Sequence, residues 1–296
     1  MNKKIKGYIE LLRPFTLLAP IIVSSSIMIA SLIYSGGVDI SLISIILIVI
    51  PASLCFALLN GASNALNQAT DYKEDKLSKP YRPIPNGTLS KKEALNISFL
   101  LYIFAMFLSF TINMTFSVLV LFIAFFSITY SLPPRMKKLL FINQLWVAIP
   151  RGFLGILASW SVFANPFQNL PIAIGCISAL FLFGGTSTKD ITDADADKKS
   201  GTKTLINVFG LRKTSFISLL FMISAFALII PLILLNILEL YLLPLALLSI
   251  LSFLIFWLMI HNNKNEKCEN TSAWTLMYAT YFIFALSFAL ITISFA

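Results

Sequence analysis

Residues Leu42 to Gly87 read LISIILIVIPASLCFALLNGASNALNQATDYKEDKLSKPYRPIPNG. The first part is apolar over more than the roughly 20 residues that a helix needs to cross the hydrocarbon of a bilayer. The run then meets Asp71, Glu74 and Asp75, followed by Lys76, Lys79 and Arg82 around a proline-rich turn. An oily helix that ends in a cluster of acids sets two questions: how often it recurs, and what the acids hold.

The apolar half recurs throughout. The chain of 296 residues is 58% hydrophobic and 12% charged, with a mean hydropathy of +0.87, too little charge to cover a soluble domain. Nine segments are long and apolar enough to span: 15–34, 42–69, 92–112, 114–132, 142–163, 169–189, 214–236, 239–260 and 272–295. In lipid the backbone must satisfy its own hydrogen bonds, so these segments are read as helices. The expected fold is all-α, a polytopic bundle of nine transmembrane helices around a central cavity, forming a single domain over 1–296. The first segment lacks a small-residue cleavage site and is expected to be retained.

Basic residues give the orientation. Of the 22 Lys and Arg, 21 fall before the first segment or in the loops after segments two, four, six and eight, where Lys264 and Lys267 belong. By the positive-inside rule the N-terminus and the acidic clusters face the cytoplasm, with the C-terminus on the opposite side of a cell membrane. The net charge of +9 is then a topology signal and an attraction to the lipid bilayer, with no nucleic acid as partner. Cys55, Cys176 and Cys268 lie too far apart for a metal spacing, and His261 stands alone at a helix end.

The acids recur too. Asp190, Asp193, Asp195 and Asp197 follow segment six in KDITDADADKKSGTKTL, at the same end as Asp71, Glu74 and Asp75. Residues three or four apart share a helix face, so Asn67, Asp71 and Asp75 form one polar stripe and Asp190, Asp193 and Asp197 another. Carboxylates brought together repel and need cations. Oxygen ligands without His or Cys point to Mg²⁺ or Ca²⁺, and Mg²⁺ is commonly shared with substrate phosphates. Lys76, Lys79, Arg82, Lys137, Lys138, Lys189 and Lys198 add positive charge for such a ligand. The 26 Phe, nine Tyr and four Trp supply walls for a hydrocarbon tail. Arg151, about nine residues into the fifth segment and just after Pro150, is costly in lipid and is expected to face the pocket. The ligand these features describe is an isoprenoid diphosphate.

The motifs resemble those of the UbiA superfamily of membrane prenyltransferases. NxxxDxxxD at Asn67, Asp71 and Asp75 with PYRPIPNG at Pro80–Gly87 resembles its first motif; KDITDADAD at Lys189–Asp197 is similar to its second. YSLPPRMKK at Tyr130–Lys138 resembles its loop between helices four and five, in the form found in the chlorophyll-synthase and archaeal lipid branches. ELLRP at Glu10–Pro14 is similar to its N-terminal approach. In the second motif Ala196 stands where the family usually has Gly, and Asp195 is an additional acid.

The resemblance implies Mg²⁺-dependent transfer of a prenyl group from a polyprenyl diphosphate to a lipophilic or aromatic acceptor. Asn67, Asp71 and Asp75 would hold one Mg²⁺ and Asp190, Asp193 and Asp197 the other. Arg82, Lys137, Lys138, Lys189 and Lys198 would meet the diphosphate, with Arg135 an alternative to Lys137 and Lys138. Tyr130 would lie beside the allylic carbon, and Asp195 or Asp197 would take the acceptor's proton. Asp71, Asp75, Asp193, Asp197 and Tyr130 are the expected catalytic set. A membrane terpene cyclase of the same fold would use the same aspartates, and a secondary transporter is the non-enzymatic alternative.

Overall fold

The computed structural model describes residues 2–37, 40–261 and 271–295; Lys264, Lys267 and Cys268 lie outside the described residues. In chain order the α-helices are α1 (Lys3–Leu12), α2 (Pro14–Tyr34), α3 (Leu42–Thr70), α4 (Tyr72–Ser78), α5 (Lys91–Phe110), α6 (Met114–Ser131) and α7 (Ile142–Ala148). They continue as α8 (Leu154–Trp160), α9 (Asn169–Gly185), α10 (Asp190–Lys199), α11 (Leu205–Ala227), α12 (Ile229–Leu234), α13 (Ser249–Ile260) and α14 (Ser272–Phe295).

Among the described residues eight helical stretches are long and apolar enough to cross a membrane, in register with eight of the nine expected segments. The remaining one, 142–163, is helical from Ile142 to Trp160 but divided into α7, a π-helical turn Ile149–Phe153, and α8. Pro150 is the cause: it lacks an N–H, and its ring collides with the carbonyl four residues back, so the ladder shifts by one residue. The seventh span starts at Leu205, before the expected 214, and bends at Gly210, whose φ of 78° only glycine adopts readily.

Local chemistry sets the helix starts. Ser41 accepts a hydrogen bond from the Ser44 N–H (3.2 Å) and Asn113 from the Phe116 N–H (2.8 Å). Ser90 and Glu93 form a capping box at α5. Two large apolar cores result, beside a smaller cluster around Leu11, Ala65 and Ile84. One joins α3, α5, α6 and α8 around Phe56, Leu66 and Phe116; the other joins α2, α9, α11 and α14 around Phe181, Phe226 and Phe284. The outer surface is as oily as the interior, as at Leu47, Phe107 and Leu234, which is stable only against lipid.

Both acidic motifs sit where a spanning helix hands over to a short one. α3 stops at Thr70, yet the Asp71 N–H still bonds the Asn67 carbonyl (2.9 Å) and the Asp75 N–H the Asp71 carbonyl (2.8 Å). The stripe Asn67–Asp71–Asp75 therefore passes from α3 into α4 through a bend. On the other side α9 passes through a 3₁₀ turn, Thr186–Thr188, into α10, which carries all four aspartates.

Candidate active site

α3 carries a row of amides on one face, Asn60, Asn64 and Asn67, and Asp71, the residue that caps its C-terminus, continues the row at helical spacing. The Asn64 amide donates to the Leu12 carbonyl and the Thr16 hydroxyl (both 2.9 Å), and the Asn60 amide donates to the Thr16 carbonyl (2.9 Å). These bonds clamp the start of α2 against α3. One turn further on, the Asn67 side-chain oxygen accepts from Lys137 Nζ (2.9 Å). Asp71 accepts from Arg135 Nη2 (2.7 Å) and also from Lys137 Nζ. Asp75 is buried and takes both its bonds from Arg82 Nη1, at 2.9 and 2.8 Å.

On α10, Asp190 is buried and its Oδ2 has no hydrogen-bond partner among the described residues. Asp193 Oδ1 meets Lys79 Nζ at 2.5 Å. Lys189 Nζ donates to the Tyr130 hydroxyl (2.8 Å), which donates onward to Asn143 Oδ1 (3.0 Å). The ammonium groups of Lys189 and Lys137 lie 5.2 and 6.0 Å from the Tyr130 ring centroid.

One cavity of about 320 Å³ gathers these groups. Its polar end is lined by Asn67, Asp71 and Asp75 together with Asp190, Asp193 and Asp197, and by Lys79, Arg82, Arg135, Lys137 and Lys189. Further along, Phe56, Leu59, Ile123, Leu182 and Met277 form an apolar wall, and Tyr130 and Arg151 face the same space. Lys138, Lys198 and Asp195 do not line it, so of the two acids expected near the acceptor's proton only Asp197 faces the cavity. Sequence reasoning passed over Asn60, Asn64, Asn143 and Tyr278, which also line the cavity. The three-and-four spacing of Asn60, Asn64, Asn67 and Asp71 was the signal for the first two.

The electrostatics follow from burial. Burial pushes the carboxyl of Asp190 up to about 7 and that of Asp197 up to about 6, the neighbouring Asp193 adding to the effect in both. Burial raises Asp75 against the pull of Arg82, and draws the Lys137 ammonium down against the pull of Asp71. Among the described residues no three His, Cys, Asp or Glu side chains gather closely enough to hold a metal ion. Lys79 pairs with Asp193, Arg82 with Asp75, and Arg135 and Lys137 with Asp71. The donor set nevertheless fits a hard divalent cation. It is all oxygen, it faces one cavity from two helices, and one buried carboxylate oxygen, Asp190 Oδ2, is unpartnered.

Residues 22–283 match the family model described as the UbiA prenyltransferase family. A digeranylgeranylglyceryl phosphate synthase of Methanobrevibacter smithii is 28% identical over 290 residues, 96% of this chain and 99% of that protein. Another, from Methanococcus aeolicus, is 32% identical over 76% of each chain. Among solved structures, one described as giving insight into digeranylgeranylglyceryl phosphate synthase in membranes superposes with a TM-score of 0.66 at 24% identity, covering 98% of this chain and 99% of that one. A UbiA homologue from Archaeoglobus fulgidus bound to DMAPP and Mg²⁺ superposes with a TM-score of 0.68 at 18% identity, covering 98% of this chain and 100% of that one. The structural likeness, at these identities, speaks for the fold.

Proposed function

The chain belongs to the UbiA prenyltransferase family, and from that premise we propose that it transfers a prenyl group from a polyprenyl diphosphate to a lipophilic or aromatic acceptor with Mg²⁺, releasing diphosphate. It is a multi-pass membrane enzyme moving an alkyl group other than methyl, which sets the carrier reading aside. The observation that carries the reading is the meeting of both aspartate motifs on one cavity whose far wall is apolar. The name shared by its relatives makes a prenylated glyceryl phosphate the first acceptor to test. The basic loops favour the cytoplasmic side for the site and for the N-terminus.

Asn67, Asp71 and Asp75, with Asp190, Asp193 and Asp197, would hold the metal. Bound Mg²⁺ supplies Lewis-acid neutralisation of the diphosphate as the allylic C–O bond ionises. Arg135, Lys137 and Lys79 rest on Asp71 and Asp193 and face the same space, so their N–H groups serve as donors to diphosphate oxygens. Arg82 is committed to Asp75 and braces the turn after α4. Lys189 and Asn143 fix the Tyr130 hydroxyl, which holds the ring against the site where positive charge develops on the allylic carbon. The apolar wall takes the prenyl chain and keeps water from the cation.

Membranes containing the chain, given geranylgeranyl diphosphate, Mg²⁺ and geranylgeranylglyceryl phosphate, should release pyrophosphate and yield a lipid heavier by one prenyl unit. Pyrophosphate with a cyclised hydrocarbon and no adduct would move the reading to a cyclase. Neither product would refute it.

A further inference from the structure

The ten residues of α1 present three faces. At about 100° per residue, Ile5, Ile9 and Leu12 fall within one arc of about 60°, and Lys3, Lys6 and Glu10 within another. The third face packs inward. Gly7 and Leu11 are buried there, Leu11 in the cluster with Ala65, Ile84, Leu89 and Ala94. The helix comes so close that a Cβ on Gly7 would stand 2.7 Å from Thr88 Cγ2. The apolar arc is left open, with Ile5 and Ile9 52% and 43% exposed, and the charged arc beside it is exposed throughout. An open apolar face next to a charged one belongs where hydrocarbon meets water.

The contacts of α1 put it at that boundary. Lys4 Nζ donates to Glu93 Oε1 (2.8 Å) in the first turn of α5, and the Gln68 amide donates to the Leu11 carbonyl (2.8 Å) from the last turn of α3. α1 therefore bridges the end of one span and the start of another. Arg13, with a left-handed φ of 55°, ends it, and α2 then exposes Phe15 and Leu18 as the chain enters its first span. Charge is in excess at this end. Lys3, Lys4, Lys6, Lys91 and Lys92 are all exposed. Lys4 pairs with Glu93, and Lys6 reaches Glu10 at 3.7 Å. Lys3, Lys91 and Lys92 carry no ion pair among the described residues. A soluble acidic partner would match these lysines but leave Ile5 and Ile9 in water. A lipid matches both, with an anionic headgroup for the lysines and a tail for the isoleucines.

We propose that α1 is an interfacial helix that seats Ile5 and Ile9 at the hydrocarbon boundary and binds anionic lipid headgroups through Lys3, Lys6, Lys91 and Lys92. The partner is the phosphate of a whole lipid, held by its charge and its tail together. The Gln68 and Asn64 amides tie the Leu11 and Leu12 carbonyls to α3, so a lipid bound on α1 steadies the end of α3 that carries Asn67. This surface lies outside the cavity, and the inference does not depend on the prenyl-transfer reading.

The test uses the full chain in micelles of an uncharged detergent, reading its melting temperature and, by native mass spectrometry, the lipid it retains. Phosphatidylglycerol should be retained and should raise the melting temperature. Phosphatidylcholine should do much less, and inorganic phosphate nothing. K3Q/K91Q/K92Q should weaken retention of phosphatidylglycerol tenfold or more, since each basic residue near an anionic surface is worth about fivefold. K3R/K91R/K92R should keep it, because the charge is kept. K199Q/R212Q/K213Q removes the same charge from exposed sites elsewhere on the chain and should leave retention unchanged. I5S/I9S should lower the rise in melting temperature. If K3Q/K91Q/K92Q does not fold, K3Q read against K3R decides by the same criterion. Equal response to the two lipids, or retention that survives K3Q/K91Q/K92Q, overturns the proposal. So does an equal loss in K199Q/R212Q/K213Q, which would mean attraction by net charge alone. A matching response to inorganic phosphate, or an unchanged rise in I5S/I9S, would show that no lipid tail is held, and overturns it too. None of these readouts uses turnover, so the proposed reaction stands or falls separately.

Discussion

Lys79 and Asp193 join the two acidic motifs: Nζ of the lysine that closes α4 lies 2.5 Å from Oδ1 of the aspartate on α10. The two motifs therefore share one space and, in the proposed reaction, one ligand. Groups that act as a unit on one ligand are not additive when removed. Asp71→Ala and Asp193→Ala should each lower turnover on the order of a thousandfold or more, the scale of losing a major electrostatic stabiliser. The double variant should be little worse than either single one. Pyrophosphate release measured on all three decides this; independent, multiplying losses would mean two separate sites.

Arg82 and Asp75 make a different kind of pair. Both side chains are nearly inaccessible, at 8% and 7% exposure. Removing one member strands the other as a buried charge, which costs about 3–5 kcal/mol. Arg82→Ala should therefore lower the melting temperature in detergent substantially, and Asp75→Asn in the same chain should recover a good part of it. Equal melting temperatures for the single variant and the parent would show that the pair has no structural weight.

The aspartates of α10 give the metal-free protein a pH dependence. The carboxyls of Asp190 and Asp197 are raised to about 7 and about 6, chiefly by burial. Between the ordinary carboxylate range and those values the folded chain binds more protons than the unfolded one, so stability falls as pH rises through that window. With EDTA present, the melting temperature should be higher at about pH 5.5 than at about pH 8. Added Mg²⁺ should raise it more at the higher pH, where the carboxylates are free to bind. Asp190→Asn should flatten the metal-free profile; an unchanged slope would mean that the unpartnered Oδ2 is not what titrates.

How much of this was legible varies with the physics. Hydropathy located the spans, because lipid rewards every apolar residue on a helix alike. The aspartate pairs were legible because oxygen ligands at helical spacing have few other uses. On α10 the helical spacing sorts the expected residues: Asp190, Asp193 and Asp197 share a face and line the cavity, whereas Lys198 is turned about 100° from Asp197 and leaves it. In the loop after α6, Arg135 adopts a left-handed φ of 55° and a 3₁₀ turn follows, aiming Arg135 and Lys137 at Asp71 and Lys138 elsewhere. Backbone torsions of that kind are set by packing and leave no composition signal. Asn60 and Asn64 were hidden for another reason: within a helix counted for its apolar residues, two amides look like tolerated exceptions.

Gly152 tests whether the π-helical turn is held by packing. A Cβ at this position would stand 2.5 Å from the Ala179 Cα and 2.6 Å from its nitrogen, both backbone atoms of α9 that have no rotamer by which to yield. Gly155, one turn on, has only the Pro150 carbonyl nearby, at 3.4 Å. Gly152→Ala should therefore cost about 1–3 kcal/mol as overpacking, while Gly155→Ala should be nearly neutral for melting temperature. The strain should also push the turn off α9 and move Arg151 away from Asn60 and Tyr278, since the Tyr281 bond to the Arg151 carbonyl fixes that residue to the same wall. Melting curves for the two variants, with tryptophan fluorescence as a second reporter because Trp274 packs on Tyr278 at 4.2 Å between ring centroids, separate these effects. A Gly152→Ala chain as stable as Gly155→Ala would mean that Pro150 alone sets the turn and that α9 plays no part in aiming Arg151.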